Sequence, residues 1–433
     1  MPSLQLIFSL RHPEQYAWEQ DRDFDPRVHT RLLSAHQRIL QSVPGNDHRP
    51  QVEAQLLRLR RSTMSQRQEM LLYYLLAQCV RARDLSLSAH FGQALEWSGR
   101  AEQIAGMLVD RGAQVDLHEL RGTLHRATSL FWIAAEEFSL ALCLLRELAE
   151  DRASFDPEYE VALAAKTAAL DYLSGNFARA LEHVQRAEAL LPLTTASLAG
   201  EGNIAWTLAL LHRQRNMPVE ALEQVERAAA LYRRLGATNS TCRVLSLAAD
   251  IALDCAESPS GDNQATSETY LTLAAHYLEE ALWVGQEAKD AAGIGLARLS
   301  HARLARLAAQ QGLARPSGTD TDRVTDLDRI STTVTATRTR AGTHAQTQPH
   351  SPQQIQDPEA TIRSVLQQAH RLRDKALLAA AQTALGADLL ARGATAEGKR
   401  WLRRAVATAT RINTPALAFR AQRCLRQAEG RNA

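Results

Sequence analysis

Residues 165–192 read AKTAALDYLSGNFARALEHVQRAEALLP, and the spacing inside this stretch decides the fold. Gly175, Phe177 and Ala180 form G-x-F-x-x-A, with Val184 four residues after Ala180, Ala187 seven after and Pro192 twelve after. Ala168 stands twelve residues before Ala180. Each position has a mechanical reason. Small side chains at Ala168 and Ala180 let two antiparallel helices approach closely. Gly175 permits a left-handed turn between them, Phe177 plugs the hairpin, and Pro192 ends the second helix.

The pattern recurs outward from this stretch. Ala221 is preceded by Leu208 and Ala209 and followed by Val225 and Ala228. Ala141 has Phe138 three residues before it, Trp132 nine before it, and Leu145 and Leu148 after it. Near the C-terminus Leu385, Gly386, Leu389, Gly393, Leu402 and Ala405 take the corresponding offsets, with Gly398 in the anchor place. Weaker copies surround Phe91, Ala94 and Ala101, and again Ala281. The anchors Ala141, Ala180 and Ala221 lie 39 and 41 residues apart, a true period.

These residues resemble the tetratricopeptide repeat family over residues 66–427, the segment 314–357 excluded. Asp171 and His212 depart from the family pattern, which places a large apolar or aromatic residue there, and the period exceeds the family's usual ~34 residues. The resemblance implies an all-α, right-handed superhelical solenoid of antiparallel helix pairs. The longer helices are similar to the repeat regions of bacterial regulators, namely sensor halves of large signal-transduction ATPases and peptide-sensing transcription factors. Tandem helical solenoids of other families stay open as a structural rival.

Composition agrees. Ala, Leu, Arg, Glu and Gln dominate and aromatics make up 5% of the 433 residues, which favours helix. Long Val/Ile/Thr alternations are absent, so the expected class is all-α. The expected organisation is an irregular or helical N-terminal cap over residues 1–50 and a repeat array over 51–313. A linker or long loop follows over 314–357, then basic C-terminal helix pairs over 358–433. Thr, Ser, Asp, Gln and Pro crowd the 314–357 segment, which cannot bury enough apolar surface to offset its ordering entropy, so disorder is expected there. Residues 257–267 also read as a loop.

The net charge of +2 gives no polyanion-binding signature to the chain as a whole. From Glu359 onward, however, fourteen Lys and Arg face five Asp and Glu. A solvated arginine-rich face explains this; an acidic partner or nucleic acid on the C-terminal helices is the sharper alternative. Five cysteines lie far apart with no C-x-x-C, which suits buried free thiols in a reducing compartment. With no signal pattern and no apolar run near the ~18 residues of a membrane span, the expected location is cytoplasmic, away from any membrane.

Chemistry-bearing motifs are absent. No phosphate-cradling loop, H-E-x-x-H or G-x-S-x-G occurs, so neither a cofactor nor a metal is expected and no enzyme is indicated. Gly293 and Gly295 sit in an Ala/Leu helical pattern, where close helix approach explains them. His118, His125, His183, His212, His276 and His301 are scattered and read as surface or groove-edge residues. A helix-turn-helix starting near Leu57 would need a turn glycine and a polar second helix, but residues 69–82 (EMLLYYLLAQCVRA) form a continuous apolar run.

Stacked hairpins leave an inner wall built by the first helix of each pair. Matching offsets place Arg126 and Leu130 on that wall in one repeat. Ala165, Ala169 and Tyr172 face it in the next, and Asn203, Trp206, Leu210 and Arg213 in the third. The expected site is a groove for an extended peptide or helix. Asn203 would hydrogen-bond backbone amides, Arg126 and Arg213 would hold a carboxylate, and Trp206 and Tyr172 would pack side chains. The plainer alternative makes Trp206 inter-helix packing and leaves the arginines solvated. The function that follows is a non-catalytic scaffold or sensor for a protein or peptide, with a homo-oligomer left open. A nucleic-acid-binding regulator using the basic C-terminal helices, or a helical-solenoid enzyme, is the alternative.

Overall fold

The computed structural model describes residues 10–15, 18–42, 48–81, 88–128, 130–151, 157–194, 198–257, 264–311 and 357–430. The described residues form helices joined by turns, with no strand among them, and the chain divides into two units, Met1–Ser174 and Gly175–Ala433.

Unit 1 holds α1 (Pro26–Leu40), α2 (Arg49–Leu59), α3 (Gln66–Arg81), α4 (Ser88–Met107), α5 (Arg111–Ala127), α6 (Phe131–Asp151) and α7 (Pro157–Leu173). Asp25 starts α1: its carboxylate accepts from the backbone N–H of Arg27 and Val28, and Pro26 occupies the first turn, where no donor is needed. Successive helices pack as hairpins, α3 on α4 and α5 on α6, with α7 against α6. The centre is α3, whose Met70, Leu71, Leu72, Leu75 and Leu76 are fully buried. Leu10 and Trp18 join the same core as α1 to α5. Gln68, wholly buried, earns its place by bonding: Oε1 accepts from Asp25 N (3.1 Å) and Ser65 N (3.0 Å), and Nε2 donates to Asp25 O (2.8 Å).

Unit 2 holds α8 (Phe177–Leu190), α9 (Leu198–Gln214), α10 (Pro218–Leu235), α11 (Thr238–Glu257), α12 (Gln264–Ala288) and α13 (Ala291–Gln310). It continues with α14 (Pro358–Leu372), α15 (Lys375–Ala391), α16 (Thr395–Arg411) and α17 (Pro415–Gly430). The hairpins are α9/α10, α11/α12 and α15/α16, and α14 packs on α13. Leu299 and Ala302 of α13 share a core with Ile362, Val365, Leu366 and Ala369 of α14, so the chain leaves and re-enters the same helix pair across the long insertion. Within each unit the architecture is a tetratricopeptide-like array of antiparallel helix pairs.

Two glycine expectations can be read off directly. Gly175 has φ +80°, the left-handed turn expected of it. In the α15/α16 hairpin a Cβ on Gly386 would lie 2.9 Å from the Gly398 carbonyl, and one on Gly398 would lie 2.9 Å from the Gly386 carbonyl. These two glycines bring the backbones together. Gly293 and Gly295 also meet neighbours closely, Cys242 Sγ at 2.8 Å and Leu377 at 3.1 Å from where a Cβ would stand.

The turns into α5, α13 and α15 share one device. Val109, Lys289 and Arg373 each take φ near +52°, and the next residue is an aspartate. Its N–H reaches back to the preceding helix (Asp110 to Ala105 O, 2.9 Å; Asp290 to Gly285 O, 3.1 Å; Asp374 to Ala369 O, 3.1 Å). Its carboxylate then caps the new helix at Ala113, Gly293 and Leu377 respectively.

Several expectations change. Helices reach into the expected 257–267 loop from both sides, α11 to Glu257 and α12 from Gln264, while 258–263 lie outside the described residues. The expectation for 314–357 falls, but for Asp357, outside them too. Cys79, Cys242 and Cys255 are buried, and burial pushes the Cys242 and Cys255 thiols up to about 11. Cys143 is exposed, because on the long α6 it falls off the packed stripe carrying Phe138, Ala141 and Leu142. His125 is buried with its ring 5.6 Å from Phe91, and burial lowers its pKa; it is no surface histidine. Among the described residues no helix is long and apolar enough to cross a membrane.

Candidate peptide-binding surface

In unit 2 the first helices of successive pairs present a connected polar face. Arg213 on α9 donates from Nε to Asp254 Oδ2 of α11 at 2.6 Å, and its Nη1 lies 3.6 Å from Asp250 Oδ2. Arg303 on α13 reaches Asp254 Oδ1 and Glu257 Oε2, both at 2.7 Å, and Arg306 meets Glu257 Oε1 at 3.0 Å and the Ala387 carbonyl of α15 at 3.3 Å. Arg420 on α17 donates to Asp250 Oδ2 at 2.9 Å, and Ser300 to Asp250 Oδ1 at 2.8 Å. Asp250, Asp254 and Glu257 follow one stripe of α11 at helical spacing, so one helix offers carboxylates to guanidiniums on three others.

Electrostatics decides their ionisation. Burial would raise the Asp254 carboxyl, but Arg213 and Arg303 outweigh it and hold the group down at about 2. Asp250 is depressed further: burial again opposes ionisation, and Arg420, Arg213 and Arg303 overcome it. Arg303 is raised despite burial because Asp254, Glu257 and Asp250 surround it. These carboxylates stay charged near neutrality, the opposite of what a general acid needs.

The expected groove residues divide between the units. In unit 2, Asn203, Trp206, Leu210 and Arg213 all lie on α9 and are half-buried. Asn203 Oδ1 accepts from the Tyr232 hydroxyl of α10 at 2.7 Å, and its Nδ2 makes no bond among the described residues. Trp206 stands edge-on to Tyr232 with centroids 6.4 Å apart and packs against the α9–α13 core. The Arg213 guanidinium is engaged with Asp250 and Asp254. In unit 1, Arg126 is exposed in the last turn of α5 and Tyr172 is buried on α7. Ala165 is buried and Ala169 half-buried, and Leu130 lies beyond α5, in the turn into α6, because α5 ends at Ala127.

Sequence reading missed Asp250, Asp254 and Arg303 in unit 2, and Asp116, Glu119 and Tyr159 in unit 1. The signal available was the i, i+3 and i, i+4 spacing of Asp250/Asp254/Glu257, Arg303/Arg306 and Asp116/Glu119, which marks one helix stripe but names no partner.

The sequence matches no protein-family model and no curated protein. Solved structures do resemble the fold. The apo form of the quorum sensor NprR from B. thuringiensis superposes with a TM-score of 0.55 at 12% identity, over 88% of this chain and 87% of that one. A Rap protein complexed with competence and sporulation factor superposes with a TM-score of 0.50 at 12% identity, over 94% and 98%. The chain therefore has the tetratricopeptide-like helical-repeat fold of these two proteins, at an identity too low to carry more than fold.

Proposed function

We propose that the protein is a non-catalytic, peptide-binding sensor or scaffold acting in cytoplasmic signalling or transcriptional regulation. The observation that carries this reading is the face of α9. Asn203 is oriented by Tyr232, leaving its amide nitrogen to donate to a peptide carbonyl, while Trp206 and Leu210 flank it half-covered and offer apolar surface. One oriented amide beside partly open apolar side chains is how a groove grips an extended backbone. Arg213 acts within the ion-pair lattice, holding α9 to α11 under that groove. Arg126 and Tyr172 would serve the corresponding face of unit 1. The fold shared with NprR, a quorum sensor, and with a Rap protein solved in complex with competence and sporulation factor supports the reading.

The test is a positional-scanning library of short linear peptides, read by fluorescence polarisation on the full chain. Asn203→Ala and Trp206→Ala should each weaken the best binder about ten-fold, the loss of one good polar or aromatic anchor. Undiminished affinity in both would remove the α9 face from the site.

A second reading has its own observation. Arg400, Arg403, Arg404 and Arg411 of α16 and Arg423 and Arg426 of α17 are exposed and form no ion pair among the described residues. A polyanion would neutralise them, and a duplex DNA shift that weakens steeply with salt and disappears in Arg400→Ala/Arg403→Ala would favour this reading.

A further inference from the structure

In unit 1 the stretch ahead of the first helix sets its own arginine against α5 and α7. Arg11 lies outside any helix, in the short stretch Leu10–Arg11–His12. Its guanidinium sits over the Tyr159 ring of α7, 4.1 Å from the centroid, and Nη1 lies 3.6 Å from Glu119 Oε2 of α5. Its backbone N–H donates to Asp116 Oδ2 of α5 at 3.3 Å. The Tyr159 hydroxyl lies within reach of Asp116 Oδ1 (3.1 Å) and Glu119 Oε2 (3.2 Å) and shares its one proton between them, fixing the ring under the cation, and Lys166 pairs with the other Glu119 oxygen. Next to Arg11, Leu10 is completely buried.

We propose that Asp116, Glu119 and Tyr159 form a receptor for an arginine side chain, that Arg11 occupies it in cis, and that its ligand in trans is a linear peptide presenting an arginine after an apolar residue. The chemistry selects that class. An aromatic face beneath, a carboxylate alongside and a carboxylate for the arginine's own main-chain N–H match a planar cation on a non-helical backbone, and lysine lacks the planar stack. The receptor side chains are set by helices on both sides, Asp116 nearly inaccessible to solvent and Tyr159 tied to two carboxylates. Burial, then Asp116 and Glu119, holds the Tyr159 phenol well above its ordinary value, so the hydroxyl stays a donor at every working pH. The occupant meets this wall from residues 10–12, which belong to no helix or strand. Such a segment competes at high effective concentration, which masks the site from a free peptide until that peptide outbids it. The proposal rests on the peptide-binding reading but not on the α9 face, since every residue involved belongs to unit 1.

The probe is a fluorescent peptide copying residues 9–15, SLRHPEQ, with blocked ends, titrated against the full chain. The parent should bind it weakly. Arg11→Ala, and Arg11→Gln as a variant that keeps the side-chain stem and with it the packing, should bind at least ten-fold more tightly. The same peptide with citrulline in place of arginine should lose that gain, and Glu119→Gln added to Arg11→Gln should abolish it. Equal affinity of parent and both variants, or a citrulline peptide that binds as well as the arginine one, overturns the proposal. The Asn203 measurement reports on the other unit, so the two readings fail separately.

Discussion

Asp254→Asn should destabilise unit 2 at neutral pH and lose that effect in acid. The side chain stays nearly isosteric while the charge shared by Arg213 and Arg303 disappears. The Asp254 carboxyl sits at about 2 against an ordinary 3.8, and each pH unit between the two is worth about 1.36 kcal/mol, so ionisation favours the folded state by roughly 2.5 kcal/mol. A quarter of the side chain is solvent-accessible, which trims the figure to about 2 kcal/mol. Because the folded value lies below the unfolded one, this stabilisation is complete above about pH 4 and is lost as the pH falls towards 2. The assay is urea unfolding of the full chain at pH 7 and at pH 3 and below. Hydrogen exchange should locate the weakened region in α9, α11 and α13. The variant should lose about 2 kcal/mol at pH 7 and converge on the parent in acid. A variant as stable as the parent at pH 7, or an equal deficit at pH 7 and pH 2, would refute the lattice as a source of stability.

Gly386→Ala should cost about 1–2 kcal/mol despite alanine's better helix propensity, because its methyl would meet the Gly398 carbonyl and Leu402 inside van der Waals contact; Gly92→Ala, where a Cβ meets nothing within 4 Å, should instead gain up to about 1 kcal/mol. Thermal unfolding of the two variants separates close approach from propensity, and equal shifts would sink the argument. Val109→Gly should stabilise by about 0.5–1 kcal/mol, since a β-branched residue at φ +52° carries strain that outweighs the entropy of glycine. An unchanged or lowered midpoint in urea would remove the strain.

The repeat anchors were legible because they answer to local spacing. Ala180, Val184 and Ala187 buried in α8 and Gly386 against Gly398 are consequences of helix packing, which a 3.6-residue period and small side chains announce in the sequence, and Gly175 at positive φ answers to its own backbone freedom. A second local signal went unread. Val109–Asp110, Lys289–Asp290 and Arg373–Asp374 each close one helix and cap the next, and the aspartate before a helical run is visible without coordinates. The exposed Cys143 and the buried His125 were misread because helix-face assignment depends on which flank a neighbour covers.

By itself, then, the sequence determined the helical class, the repeat, the hairpin turns and the helix on which Asn203, Trp206, Leu210 and Arg213 stand. Only the tertiary structure decided what those side chains touch. Arg213 meets Asp254 41 residues away, Arg303 meets the same carboxylate from 49 residues on, and Arg420 returns to Asp250 across 170. Arg11 meets Asp116 from 105 residues away. Periodicity orders neighbours along one helix, whereas the pairing of charges between helices follows from packing distance and desolvation, which exist only once the helices have stacked.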